Sequence, residues 1–266
     1  MPVTCPVKFI PLTDAERRPL DFEVMSHVFA AHNELGRLCN EKIYKNDVRE
    51  RLSAAGIPAI AEVPVTVAWR GFRKTYFLDL VVRDALLYEL KAAAALTGHD
   101  KAQLLNYMLL LDLPSGKLLN FCAPKVESEF VATRLTFEKR RAFAFDTSRW
   151  QPVSDRCPAF RDNTEDLVRT LGAFLDLDLY SEALAWSCGS GVPARIPITR
   201  DGIALGTQEV RLIVPGVAFH LTAHTDNLDR IESHLTRFLR HTNLSAVQWL
   251  NFNHATITLT TLIPSA

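Results

Sequence analysis

No stretch of the chain comes near the eighteen or so uninterrupted apolar residues that a membrane span requires. The opening Met1-Pro2-Val3-Thr4-Cys5-Pro6-Val7-Lys8 lacks the basic start and apolar run of a signal peptide. Net charge is lacking too: 30 Lys and Arg balance 30 Asp and Glu, which excludes a global field drawing the protein onto nucleic acid or an anionic membrane. Any such binding must come from a local patch. The cysteines number five, scattered at 5, 39, 122, 157 and 188, with no Cys-x-x-Cys pair for a zinc site or a redox dithiol. Reduced thiols in a cytoplasm fit that pattern, so a soluble cytoplasmic protein is expected. What is present is an ordinary globular composition, 48% apolar and 23% charged over 266 residues. That length suits two compact units, each able to bury a core.

Apolar residues at helical spacing from Phe22 to Leu52 predict a long helix over 21–55 with a break near Gly36, ending at Gly56 and Pro58. The period then changes. Val63, Val65 and Val67 alternate as in a strand, and short strands are expected at 75–82 and 86–91. Leu104, Leu105, Met108 and Leu111 bring the helical period back over 100–111, followed by strands at 117–121 and about 130–135. Residues 137–162, with the run Lys139-Arg140-Arg141 and two prolines, read as a solvated linker.

The pattern then repeats. Leu35-Gly36 followed by Tyr44 recurs, at the same spacing, as Leu171-Gly172 followed by Tyr180. Leu119-Asn120-Phe121 recurs 131 residues later as Leu250-Asn251-Phe252, and Leu104 and Tyr107 meet Leu235 and Phe238 at that same offset. Asp79-Leu80-Val81-Val82 falls against Arg211-Leu212-Ile213-Val214, and Glu89-Leu90-Lys91 against His220-Leu221-Thr222. Apolar positions match and charged ones do not. The expected organisation is a tandem α/β repeat, each unit a mixed β-sheet flanked by helices: residues 1–136, a linker over 137–162, and a second unit over 163–266.

Asp79 stands inside the apolar strand Tyr-Phe-Leu-Asp-Leu-Val-Val, where an unpaired carboxylate would cost several kcal/mol. Taken alone it suits a strand edge or a turn cap. Glu89 and Lys91 are two apart on a strand, so both side chains leave one face. Together the three put two carboxylates and an ammonium at one end of a sheet. Such hard oxygen ligands suit Mg²⁺ or Mn²⁺. Lys91 would then orient or deprotonate a water, or stabilise developing negative charge. Tyr44 and Tyr107 read as core aromatics and Asn120 as a structural hydrogen-bonding residue, since each has a counterpart in the half without acids. His220, His224 and His234 do not share a face and predict no second metal site, and Cys188-Gly189-Ser190-Gly191 lacks the Lys-Ser/Thr of a phosphate loop.

With Glu41-Lys42-Ile43-Tyr44, Asp79, Glu89-Leu90-Lys91, Gln103-Leu104-Leu105-Asn106-Tyr107 and Leu118-Leu119-Asn120-Phe121, residues 21–136 resemble the GxxExxY group of the PD-(D/E)XK nuclease superfamily. Leu38 stands where the name-giving glycine would. The resemblance implies a restriction-endonuclease-like fold in each repeat and a nuclease that hydrolyses phosphodiester bonds of DNA or RNA with Mg²⁺ or Mn²⁺. It makes Glu41, Asp79 and Glu89 metal ligands, Lys91 the catalytic lysine and Gln103 a polar residue near substrate. The second half, with Leu177, Arg211, His220 and Thr222 against Glu41, Asp79, Glu89 and Lys91, is expected to be a pseudo-nuclease that packs on the first as an intramolecular pseudo-dimer or holds substrate. The rival reading is a non-catalytic nucleic-acid-binding or scaffold protein on the same fold.

Overall fold

Thr13 opens the first helix. Its hydroxyl takes the Glu16 N–H while the Glu16 carboxylate accepts the Thr13 N–H at 2.8 Å, satisfying two donors that a helix start leaves open. The structure, a computed structural model, describes residues 2–264. After β1 (Val3–Thr4), α1 runs Asp14–Leu35, so it begins earlier than the periodicity predicts and takes Pro19 into its early turns. Gly36, at φ 69°, ends it. Asn40 then caps α2 (Glu41–Ala54) by accepting the Ile43 N–H at 3.3 Å, and the exposed Leu38 lies in the turn between.

The chain continues through β2 (Ala59–Trp69), β3 (Phe72–Val82), β4 (Leu86–Lys91), α3 (Gly98–Leu110), β5 (Ser115–Asn120) and β6 (Glu127–Ala132). These strands form a six-stranded sheet in chain order, with β4 and β5 parallel and the pairs β3–β4 and β5–β6 antiparallel. A parallel step needs a crossover, which α3 supplies. Alternation along the strands sends Leu80, Val82 and Leu90 into a core with Val24, Val28 and Val48 of α1 and α2, and Val81 and Leu87 into a second core with Leu104 and Met108 of α3.

The second half repeats this except at its first strand, which joins the opposite edge of its sheet. It runs α4 (Phe137–Arg141), β7 (Ala144–Asp146), α5 (Cys157–Leu171), α6 (Leu177–Ser187), β8 (Ala194–Arg200), β9 (Ile203–Val214), β10 (Val217–Thr222), α7 (Leu228–Arg240), β11 (Ala246–Asn253) and β12 (Thr256–Leu262). Its six-stranded sheet has the order β7-β12-β11-β10-β9-β8, with β10 and β11 parallel. The described residues thus hold two mixed sheets flanked by helices. The compact units are the chain through Val67 with Lys74–Thr136, and Ala68–Arg73 with the chain from Phe137.

The stretch 137–162 is structured, contrary to the expected linker. It carries α4, the strand β7 that pairs with β12, and the first turn of α5. Arg140, expected in solvent, is 1% exposed and donates from Nη1 to the carbonyls of Leu171 at 2.9 Å and Ala173 at 3.3 Å. Those oxygens lie at the end of α5, where a helix leaves carbonyls open. A charge run read from sequence alone gives no hint of that demand.

Individual hydrogen bonds recur between the units. The Tyr44 hydroxyl donates to the Gly36 carbonyl at 2.7 Å and accepts the Cys39 N–H at 3.1 Å. The Tyr180 hydroxyl likewise donates to the Gly172 carbonyl and accepts the Leu175 N–H at 3.2 Å. Each ring stacks on a phenylalanine, Phe121 at 4.5 Å and Phe252 at 5.0 Å between centroids. Asn120 accepts the Ala93 N–H at 3.1 Å, and Asn251 accepts the His224 N–H at 2.9 Å. These tyrosines and asparagines hold turns in both units.

Strand register corrects one alignment. Leu80 pairs with Tyr88, and Arg211 pairs with Phe219, the counterpart of Tyr88. Arg211 therefore occupies the place of Leu80, and Val210 that of Asp79. An irregularity between Val217 and Ala218 shifts the register, so β9 carries one residue more than β3 over this stretch, as a bulge.

Candidate active site

Glu89 is the most confined acid of the first unit, 1% exposed in the middle of β4. Its Oε1 accepts from Lys91 Nζ at 2.9 Å, while its buried Oε2 has no hydrogen-bond partner. Burial, reinforced by the Asp79 charge, pushes its carboxyl up to about 8. Asp79, on β3 where the strand parts from β4, is buried with both oxygens engaged: Oδ2 accepts the Leu90 N–H at 2.9 Å and Oδ1 accepts from Lys45 Nζ at 2.7 Å. It closes the fork between the strands and caps neither a turn nor an outer edge. Glu41, the first residue of α2, is half-buried, and burial, then the Asp79 charge, raises its carboxyl above the ordinary range.

Lys91 donates to Glu89 and, at 3.1 Å, to Gln103 Oε1. An ammonium can only donate, so the Gln103 carbonyl must face it; the amide nitrogen then donates to the Tyr107 hydroxyl at 2.8 Å. Burial works to lower the Lys91 pKa, but the charge and hydrogen bond of Glu89 outweigh it and hold the group above the usual lysine range. Lys91 is an ammonium here. Gln103 and Tyr107, four apart on α3, present one face to it.

The structure thus places Asp79, Glu89, Lys91 and Gln103 in one connected cluster, with Glu41 beside it. Sequence reading missed two members. Lys45, one turn after Glu41 on α2, is 5% exposed, lies 4.0 Å from Glu41, and pairs with both Asp79 and Glu62. Burial works against its charge, yet the hydrogen bonds to Asp79 and Glu62 hold its pKa above the ordinary value. Glu62 adopts φ 55° within β2, a left-handed backbone uncommon for glutamate. The i, i+4 spacing of Glu41 and Lys45 was a legible signal; the reach of Glu62 was not.

A hard divalent cation suits this donor set. Carboxylates of Asp79, Glu89 and Glu41 are its preferred ligands, and the orphaned Glu89 Oε2 is the kind of buried acceptor a cation would satisfy. Lys45 now supplies the positive charge. Among the described residues no three acids, histidines or cysteines converge as they stand to hold one ion.

Residues 19–133 match the family model of the PD-(D/E)XK nuclease superfamily. The match runs from within α1 to just beyond β6 and contains every member of the cluster. No curated protein matches the chain significantly. Among solved structures, "Crystal structure of SSO0001" is similar at 16% identity, covering 68% of this chain and 81% of that one; its TM-score of 0.29 is too low to bear on the fold. No helix of the described residues is long and apolar enough to cross a membrane.

Proposed function

We propose that the first unit is a metal-dependent nuclease of the GxxExxY type and that the second unit has lost the chemistry. The reading rests on one observation: two buried carboxylates and an ammonium meet where β3 and β4 part, one oxygen lacks a partner, and the stretch matches the superfamily. Asp79, Glu89 and Glu41 would hold Mg²⁺ or Mn²⁺. When bound, the ion supplies Lewis-acid polarisation of a phosphoryl oxygen and a water made acidic enough to attack it.

Lys91 does the rest from Nζ. Of its three protons, one is given to Glu89 and one to Gln103, leaving one for a phosphoryl oxygen or the attacking water. Lys91, held above the usual lysine range by Glu89, is placed as electrostatic stabiliser and orienting donor. Gln103, itself fixed by Tyr107, is a positioning residue that aims the ammonium. The substrate is a nucleic acid, DNA or RNA.

Asp79→Asn, Glu89→Gln and Lys91→Ala should each lower cleavage of labelled single- or double-stranded DNA or RNA by roughly 10³-fold or more, with circular dichroism unchanged and EDTA abolishing wild-type activity. Wild-type activity in Asp79→Asn would sink the assignment. Lys45 favours a second reading, a non-catalytic nucleic-acid-binding protein whose ion site is filled by a side chain. Binding of the same substrates without cleavage in either Mg²⁺ or Mn²⁺ would select it.

A further inference from the structure

A cavity of about 480 Å³ opens in the second unit at the place that corresponds to the acidic cluster of the first. Strand pairing explains its position. The β9–β10 ladder ends at Arg211 and Phe219, beyond which β10 continues as His220, Leu221 and Thr222 while β9 turns to pair with β8. In the first unit the same fork is filled by Asp79, which takes the Leu90 N–H, and by the long side chain of Lys45. Here Val210 and Ser181 occupy those places, Ala218 replaces Leu87, and all three line the space. Shorter or non-polar side chains have emptied the site.

The chemistry of the lining selects an anion with an apolar body. Arg211 borders the cavity half-buried, and among the described residues its guanidinium has no ion-pair or hydrogen-bond partner. A partly desolvated charge of this kind is ordinarily paired. Of the acids alongside, Glu209 is engaged by Arg195 at 3.2 Å and Asp178 is exposed at the start of α6, so neither answers Arg211. Leu221, the counterpart of Leu90, also lines the cavity, and Val210 stands in the place of the carboxylate that takes the Leu90 N–H in the first unit. Guanidinium and backbone N–H are the donors that a phosphate takes. Phe219, Phe238, Leu235 and Val247 supply apolar wall, Gln208 and Ser181 supply hydrogen-bonding groups, and the volume lies within the range of small-molecule sites.

We infer that this cavity binds one nucleoside monophosphate unit, its phosphate on Arg211 and its base against the phenylalanine-lined wall. The choice of a nucleotide over other organic anions rests on the nuclease reading of the first unit. The pseudo-site would then retain or sense a nucleotide, either free or at the end of a strand.

Isothermal titration of the full chain with the four ribonucleoside 5′-monophosphates, inorganic phosphate and benzoate tests this. At least one nucleotide should bind at a stoichiometry of one, more tightly than phosphate or benzoate. Binding should persist in Glu89→Gln and weaken roughly tenfold or more in Arg211→Met, which removes the charge-assisted bond. Ala218→Leu, which restores the bulk of Leu87 and refills the space, should weaken it as well, with thermal unfolding verifying that both variants fold. A 5′-phosphorylated tetranucleotide binding more tightly than the mononucleotide would support a strand end, and weaker binding a free nucleotide. No nucleotide binding at millimolar concentration, phosphate or benzoate binding as well as nucleotide, or binding lost in Glu89→Gln yet kept in Arg211→Met would overturn the inference. Cleavage measured on the same samples keeps the two readings apart, since nucleotide binding without any cleavage would refute the nuclease and leave the pocket standing.

Discussion

Glu89 carries two consequences at the scale of single residues. In the native chain it keeps its proton up to about pH 8, whereas in the unfolded chain it loses it near 4.5. Between those values the native state binds more protons, so without metal stability falls as pH rises through that window. Glu89→Gln removes this contribution. Its unfolding temperature in EDTA, set against wild type from pH 5 to 9, should therefore gain progressively toward the alkaline end; parallel curves would show that Glu89 is not held protonated. Lys45 makes the complementary case. Lys45→Ala leaves Asp79 buried without its cation, a loss of about 3 kcal/mol by analogy with other broken buried pairs. The variant should unfold earlier in EDTA yet be stabilised more by Mn²⁺ than wild type, and calorimetry with and without metal checks both. The acids and Lys91 were legible because a charge inside an apolar strand is costly enough to demand a reason. Lys45 was not, since a lysine on a helix is ordinarily solvated and only the tertiary position of Asp79 and Glu62 buries it.

Elements were read from periodicity, and periodicity succeeded where one face is buried. The bounds Leu86–Lys91 match the expected strand, and the break near Gly36 appears as the turn between α1 and α2. It failed where another force decides. The Thr13–Glu16 cap starts α1 ahead of its apolar stripe, and the pairing of β7 with β12 draws a supposed linker into a sheet. The turn before α2, and its counterpart before α6, each depend on a tyrosine hydroxyl that joins a carbonyl to an N–H. Tyr44→Phe and Tyr180→Phe each strand those two groups, so each should cost about 1–3 kcal/mol. Denaturant melts read this directly. A loss at Tyr180 comparable to that at Tyr44 is the expected result, because the bonds serve the turn; an effect confined to Tyr44 would mean that its hydroxyl serves the chemistry instead.

At the scale of the whole chain, the two units share a skeleton and differ at the site. The order of five strands, the turns and the stacked rings persist in both units, while β1 pairs with β2 and β7 with β12, at opposite edges of the two sheets. Glu41, Lys45, Asp79, Glu89 and Lys91 give way to Leu177, Ser181, Val210, His220 and Thr222. Val210 stands where Asp79 would in the fork between β9 and β10, and Thr222 is buried in hydrogen bonds with Asn251 at 2.7 Å and Trp249 at 2.8 Å. Among the described residues no group of carboxylates gathers there to hold a hard cation. Metal binding by the intact chain should accordingly reside in the first unit alone. Titration with Mn²⁺, followed by calorimetry or by the paramagnetic signal of free ion, should give no second-unit site in wild type. In Asp79→Asn and Glu89→Gln, tight binding should disappear together with the metal-induced rise in unfolding temperature. Stoichiometric Mn²⁺ retained by the Asp79→Asn/Glu89→Gln double variant would place an ion among residues that offer it nothing but His220 and the rim acids, and the division of chemistry between the two units would have to be abandoned.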